Sequence, residues 1–166
     1  MKQLSLIRHA KSSHDDPSSR DFYRTLNERG REDAPRMGRH LAKVFEWSPE
    51  LIICSTAVRT LRTAKLLLEG LGDPERYVQQ EGRIYEASVP EIIEVVQETA
   101  DSVEHLALIG HNPGMENLTN WLVGERVILG FVTCAVAMLE LQISDWQSLK
   151  ASCGILRNYL EPRKIP

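Results

Sequence analysis

Short apolar runs alternate along this chain with stretches in which apolar residues recur every three or four positions. Gln3 to Ile7 alternates and then runs apolar, and Leu51 to Cys54 and Leu106 to Ile109 are brief apolar runs bounded by polar or turn residues. Such runs fit strands buried on both faces of a parallel sheet. Ala34, Met37, Leu41 and Val44 fall at helical spacing with Arg36, Arg39, His40 and Lys43 on the other faces, which predicts an amphipathic helix over 28–46. Gly30 and Pro35 weaken its first turns and allow a kink or restart there. Val58, Leu61, Ala64 and Leu68 predict a second helix over 56–70. Ser88-Val89-Pro90-Glu91 reads as a capping box that opens a helix through Ile92, Val95 and Val96. Asn112-Pro113 caps another that runs to about Leu122. Cys134 to Leu141 and Gly154 to Leu160 read as later strands. Strand and helix thus alternate through most of the chain, which predicts an α/β three-layer sandwich with a mostly parallel central sheet flanked by helices. The 166 residues contain no repeat, linker or low-complexity stretch and predict a single domain over 1–166.

Composition narrows the class without naming a function. Hydrophobic residues are 42% and charged residues 26%, with 10 Gly and 8 Pro, which fits a globular chain and excludes collagen-like and disordered ones. The net charge of -3 gives no reason to expect nucleic-acid binding. The charge is unevenly spread, however: residues 1–65 hold 13 Lys/Arg against 8 Asp/Glu, and residues 66–166 hold 7 against 15. A cationic stretch in a mildly acidic protein suggests a local anion site. The longest uncharged segment, Val127 to Leu139, has 13 residues, short of the ~20 needed to span a bilayer. The apolar stretch Leu4 to Ile7 runs straight into Arg8 and His9, so no targeting signal or membrane partner is expected. Cys54, Cys134 and Cys153 have no CxxC or CxxH spacing, which argues against a disulfide framework or zinc site and for buried thiols in a reducing cytoplasm. Cys54 reads as a small buried strand residue, the other reading being a reactive thiol beside Ser55.

Open α/β sheets bind ligands at the carboxyl ends of their strands. After the first strand stand Arg8-His9-Ala10; after the second, Ser55-Thr56 and then Arg59; after the third, Gly110-His111-Asn112-Pro113. Two arginines and two histidines therefore converge from three segments on one edge. Guanidinium groups bind phosphate oxygens in a planar, bidentate way, which suits Arg8 and Arg59 to hold a phosphoryl group. Should the second helix open at Ser55, Ser55 and Arg59 share a face beside free N–H groups, and Asn112 stands at a second such helix terminus. An imidazole fixed in one tautomer presents its other nitrogen as a nucleophile, which makes His9 the candidate nucleophile. His111 is the candidate that stabilises the oxygens of the transferring group. No carboxylate cluster with metal-ligand spacing accompanies them, so neither metal nor cofactor is expected. His14 with Asp15 and Asp16 reads as a polar loop in preference to a metal site. His40 reads as a surface residue, and His105 as the start of a strand.

These residues resemble the histidine phosphatase superfamily, which includes phosphoglycerate mutases and acid phosphatases. Its first signature is an RHG or RHA segment after strand one, here Arg8-His9-Ala10; its second an SxxxR segment with a following TA, here Ser55 to Arg59 and Thr63-Ala64; its third a GH after a later strand, here Gly110-His111. Short length, the run Arg8 to Ser13 and the segment Asp21 to Gly30 are similar to SixA-type phosphohistidine phosphatases, with Thr25 where that group's DxxRPLxxxG pattern has Pro. The resemblance implies a phosphoglycerate mutase-like fold, His9 as the phosphorylated nucleophile, Arg8, Arg59 and His111 as its phosphate pocket, and Arg24 as a cation at the rim. It implies a shallow site, since no large insertion covers it. In mutase-like members a glutamate between the second and third motifs protonates the leaving oxygen; the resemblance implies Glu86, which stands in that interval, as the candidate general acid, the other reading being a surface carboxylate approaching a helix.

The reading that follows is a metal-independent phosphatase acting through a phosphohistidine at His9, with Ser55 and Asn112 as further phosphate contacts. The expected substrate is phosphohistidine on a partner such as a phosphotransfer domain. A small-molecule phosphomonoesterase of the same superfamily is the nearer alternative, and a non-catalytic phosphate- or phosphoprotein-binding module the more distant one.

Overall fold

The computed structural model describes residues 1–166. Six strands form one sheet in the order β3-β2-β4-β1-β5-β6, where β1 is Lys2–Arg8, β2 Leu51–Cys54, β3 Gln79–Gln80, β4 His105–Gly110, β5 Val136–Leu141 and β6 Gly154–Leu160. The four strands β3, β2, β4 and β1 are mutually parallel, and β5 runs antiparallel to both β1 and β6. The sheet is therefore mixed, with β5 the one reversed strand. The two-residue β3 shows no apolar pattern and is not predicted from sequence.

Helices cover both faces. On one side α1 (Glu28–Phe45) and α2 (Val58–Leu71) pack Ala34, Met37, Leu41, Ala64, Leu67 and Leu68 against Ile7, Ile52 and Ile109. On the other, α3 (Val89–Gln97) and α4 (Gly114–Val123) pack Ile92, Val96, Leu118 and Leu122 against Leu4, Leu6, Leu106 and Leu108. Alternate residues of β1 and β4 thus enter opposite cores, which is why both strands read as continuous apolar runs. No helix is long and apolar enough to cross a membrane.

Local chemistry fixes the helix starts. Asn27 caps α1 by accepting from the Gly30 N–H at 2.9 Å, and the helix continues unbroken through Pro35. Ser88 and Glu91 form the expected capping box at α3. Helix α2 begins at Val58, with Ala57 as its N-cap, and not at Ser55. The register pairs Arg8 with Gly110 and Cys54 with Ile109, so the carboxyl ends of β1, β2 and β4 lie side by side. Everything that follows these strands faces one edge of the sheet.

Candidate active site

That edge gathers His9, Ser55, Arg59 and His111. His9, only 7% exposed, is held by backbone hydrogen bonds at the end of β1: its N–H donates to the Gly110 carbonyl, and its own carbonyl accepts from the Cys134 N–H. The imidazole Nδ1 lies 2.7 Å from the Ala10 carbonyl, which can only accept. Nδ1 therefore carries the proton and Nε2 keeps a free lone pair. Ala10 is fixed in turn: its N–H donates to Thr63 Oγ1, whose hydroxyl donates to the Arg59 carbonyl. One threonine on α2 thus ties the residue after His9 to the backbone of Arg59. Burial, reinforced by Arg59, His111 and Arg8, pushes the His9 pKa down to about 3, so the ring is neutral at neutral pH.

His111 lies with its ring centroid 5.5 Å from that of His9 and is also 7% exposed. Its Nε2 is 2.7 Å from Ser55 Oγ, which already accepts from the Ala57 N–H at 3.3 Å. The Ser55 hydroxyl is fully buried and Nε2 is the one acceptor it reaches, so its proton is directed to Nε2 and the His111 proton sits on Nδ1. Burial and the two arginines lower the His111 pKa to about 4. Nδ1 is buried without a partner, and so is Nε of Arg8. Unpartnered buried donors are costly, and two of them beside a free imidazole lone pair are suited to an oxyanion.

Arg8 ends β1 with Nη1 donating to the Phe131 carbonyl at 2.8 Å. The same carbonyl accepts from Asn112 Nδ2 at 2.9 Å, while Asn112 Oδ1 accepts from the Glu116 N–H. Asn112 accordingly anchors the loop before β5 to the start of α4. Arg59, 6% exposed, donates through Nη1 to the Asp21 carbonyl and through Nη2 to Asp21 Oδ2. The Asp21 carboxylate also accepts from the Tyr85 hydroxyl at 2.6 Å and from Arg24 Nη1 at 2.8 Å. The Tyr85 hydroxyl, with Arg59 and Arg24, holds Asp21 down at about pKa 2. Tyr85 also packs edge-on against His111, with ring centroids 5.4 Å apart.

The remaining sequence candidates fall around this centre. Arg24 reaches the site through Asp21 and also donates to the Ser13 carbonyl, Ser12 Oγ and His14. The loop that carries it closes on Lys11 to Ser13, and Gly30 is required there, since a Cβ would lie 2.3 Å from the Lys11 carbonyl oxygen. Glu86 is exposed, adopts φ +54° and makes no hydrogen bond or ion pair. Ser55 and Arg59 do not share a helical face, contrary to the expectation from spacing, because α2 starts only after Ala57. Ser55 instead orients His111. His14 bonds to Arg24 and Asp16 to Ser18, and no group of three or more His, Cys, Asp or Glu is arranged to hold a metal ion. Cys54 and Cys134 are buried and pushed up to about pKa 12 by desolvation, which makes them poor nucleophiles. Asp21, Tyr85 and Thr63 take part here although the sequence pattern does not predict roles for them. Only Asp21 and Thr63 lie inside recognisable motif segments.

The sequence model of the histidine phosphatase superfamily (branch 1) matches residues 4–120. An uncharacterized protein of Mycobacterium tuberculosis (strain H37Rv) is 30% identical over 166 residues, covering 95% of this chain and all of that protein. Among solved structures, a SixA protein from Agrobacterium tumefaciens superposes with a TM-score of 0.82 at 27% identity, covering 97% of this chain and 98% of that one. The protein histidine phosphatase SixA complexed with tungstate gives 0.81 at 22% identity, covering 97% of each chain.

Proposed function

The chain belongs to branch 1 of the histidine phosphatase superfamily and is a phosphatase, and from that premise we propose that it works through a phosphohistidine at His9 and acts on phosphohistidine carried by another protein. The observation that carries the mechanism is the hydrogen bond from His9 Nδ1 to the Ala10 carbonyl, which leaves Nε2 free beside the two orphaned donors, Arg8 Nε and His111 Nδ1.

In the first step Nε2 attacks phosphorus, the P–Nε2 bond forms, and the bond from phosphorus to the substrate nitrogen breaks in line. Arg8, Arg59 and His111 Nδ1–H stabilise the charge on the equatorial oxygens. The leaving imidazole departs neutral when it enters protonated, so no carboxylic acid is needed for that step. In the second step water attacks phosphorus, the P–Nε2 bond breaks, and inorganic phosphate leaves with the water's proton passed to solvent. Thr63 and Ser55 are positioning residues for His9 and His111.

A protein substrate is supported by what surrounds the site. Glu86, the one carboxylate offered as an acid for an alcohol leaving group, is exposed and unengaged. Apolar side chains stand exposed on both flanks: Tyr23 next to Phe22, which packs on Tyr85, and Leu129 and Val132 on the loop that carries Phe131. The 27% identity to a SixA structure over 97% of this chain supports the same reading.

Labelled phosphodonor is expected to give an acid-labile, alkali-stable phosphoenzyme in the wild type and none in His9→Ala, with turnover falling at least 1,000-fold, on the order of the loss of a covalent nucleophile. Unchanged turnover in that variant would overturn the mechanism. Comparing a phosphohistidine protein with sugar and aryl phosphates tests the substrate; preference for a sugar phosphate would favour the small-molecule reading.

A further inference from the structure

The carboxyl edge of the sheet extends past Arg8. His9, Ser55, Arg59 and His111 occupy the ends of β1, β2 and β4, but β5 begins and β6 ends on this same edge, with Val136 paired to both Ile7 and Leu160. There, on the other side of Arg8, lies a cleft of about 320 Å³ lined by Arg8, Lys11, Arg29, Thr133, Glu161 and Arg163. Neither His9 nor His111 lines it.

Four cations face one carboxylate in this cleft. Arg29 is 3.4 Å from Asp33, a carboxylate that it shares with Arg36, and Glu161 is 3.6 Å from Lys164, which lies outside the lining. Lys11, Arg163 and Arg8 make no ion pair at all, and Arg8 Nε is buried without a partner. Like charges brought together in this way repel one another until a counter-charge enters, and a concave wall focuses their field on the space between them. The cleft is also tied rigidly to the reacting centre. Thr133 precedes Cys134, whose N–H is shared by the carbonyls of Arg8 and His9, and Lys11 lies two residues beyond His9.

We propose that this cleft is a second anion subsite, which takes a carboxylate or phosphate carried by the substrate next to the phosphoryl group that reacts. On the reading given above, on which this inference rests, the anion is an acidic side chain flanking the phosphohistidine of the partner protein. Arg8 then faces both anions, one on each side of its guanidinium. The subsite selects acidic sequence contexts and speeds encounter with acidic partners, and it contributes nothing to a substrate with a single anionic group.

The test uses the full-length enzyme, its Lys11→Gln/Arg163→Gln variant and two pairs of substrates. One pair is a phosphohistidine peptide flanked by Glu and the same peptide flanked by Gln; the other is 4-nitrophenyl phosphate and an aryl phosphate bearing a carboxylate. The wild type is expected to prefer the Glu peptide by about tenfold in kcat/KM, as two partly exposed charge contacts would give. The double variant is expected to lose that preference while turning over 4-nitrophenyl phosphate at the wild-type rate. Arg163→Gln alone, a change at an exposed residue, carries the same test if the double variant does not fold. Hydrolysis of the aryl phosphates but of neither peptide would end the phosphohistidine reading; a preference for the carboxylated aryl phosphate that the variant loses would then assign the subsite to a small-molecule anion. No preference within either pair in the wild type, or a preference that survives in the variant, overturns the subsite.

Discussion

In the proposed mechanism Asp21 competes with the phosphoryl group for Arg59. Its carbonyl and carboxylate take both terminal nitrogens of the guanidinium, and its carboxylate stays ionised because the Tyr85 hydroxyl, Arg59 and Arg24 stabilise it. A phosphoryl group arriving at Arg59 therefore meets a cation already partly neutralised. Asp21→Asn keeps the backbone contact and removes the charge, and is expected to lower the inhibition constant for inorganic phosphate by about three- to tenfold, the scale of one partly exposed ion pair. Competitive inhibition assays check this, and weaker inhibition in the variant would show that Asp21 serves chiefly to orient Arg59. In the same mechanism Ser55 acts in the opposite sense, by orienting His111. Ser55→Ala leaves His111 Nε2 buried without its partner and frees the ring to put its proton on either nitrogen. A fall in kcat of about 10- to 100-fold with a small change in KM is expected from misdirecting one oxyanion donor.

Helices α1 and α2 meet where their glycines bring backbone against backbone. A Cβ on Gly70 would lie 2.0 Å from the Pro35 carbonyl oxygen, and one on Gly38 would lie 2.1 Å from that of Leu67. Neither obstacle is a flexible side chain, so Gly70→Ala must push the helices apart and is expected to cost about 1–3 kcal/mol, possible to read by chemical denaturation. Because α2 also carries Arg59 and Thr63, the same variant should lose activity before it loses its fold. The core elements are legible in the sequence: β1, β2, β4, α1 and α3 follow from apolar periodicity and caps, since each buries a large apolar face. What is not legible is set by contacts between segments. Helix α2 starts at Val58 in place of 56, and Ser55, left outside it, bonds to His111, 56 residues away in sequence. The polar strand β3 exists only through its pairing with β2.

Across the whole fold, three histidines couple folding to pH, His9 and His111 buried and His105 half-buried. His9 is depressed to about 3, and His105 and His111 to about 4, in each case first by burial. In the unfolded chain each regains a pKa near 6.5, so below that value the unfolded state binds protons that the folded state refuses. Stability is therefore full above about pH 6.5 and is lost as pH falls towards 4. Denaturant melts across this range check the slope, and His105→Gln, far from the site, should flatten it without altering turnover of 4-nitrophenyl phosphate at neutral pH. The alternation of strand and helix, the edge on which Arg8, His9, Arg59 and His111 meet, and the cationic bias of the first 65 residues are readable from the chain alone. Those follow from periodicity and from residue types at strand ends, which are local properties. Packing in three dimensions sets the rest: Asp21 sits on Arg59, Glu86 faces solvent, Asn112 anchors a loop, and Lys11, Arg29 and Arg163 share a cleft with Arg8. Each of these depends on side chains from distant segments arriving at one point, and the order of residues along the chain does not encode the distances between them.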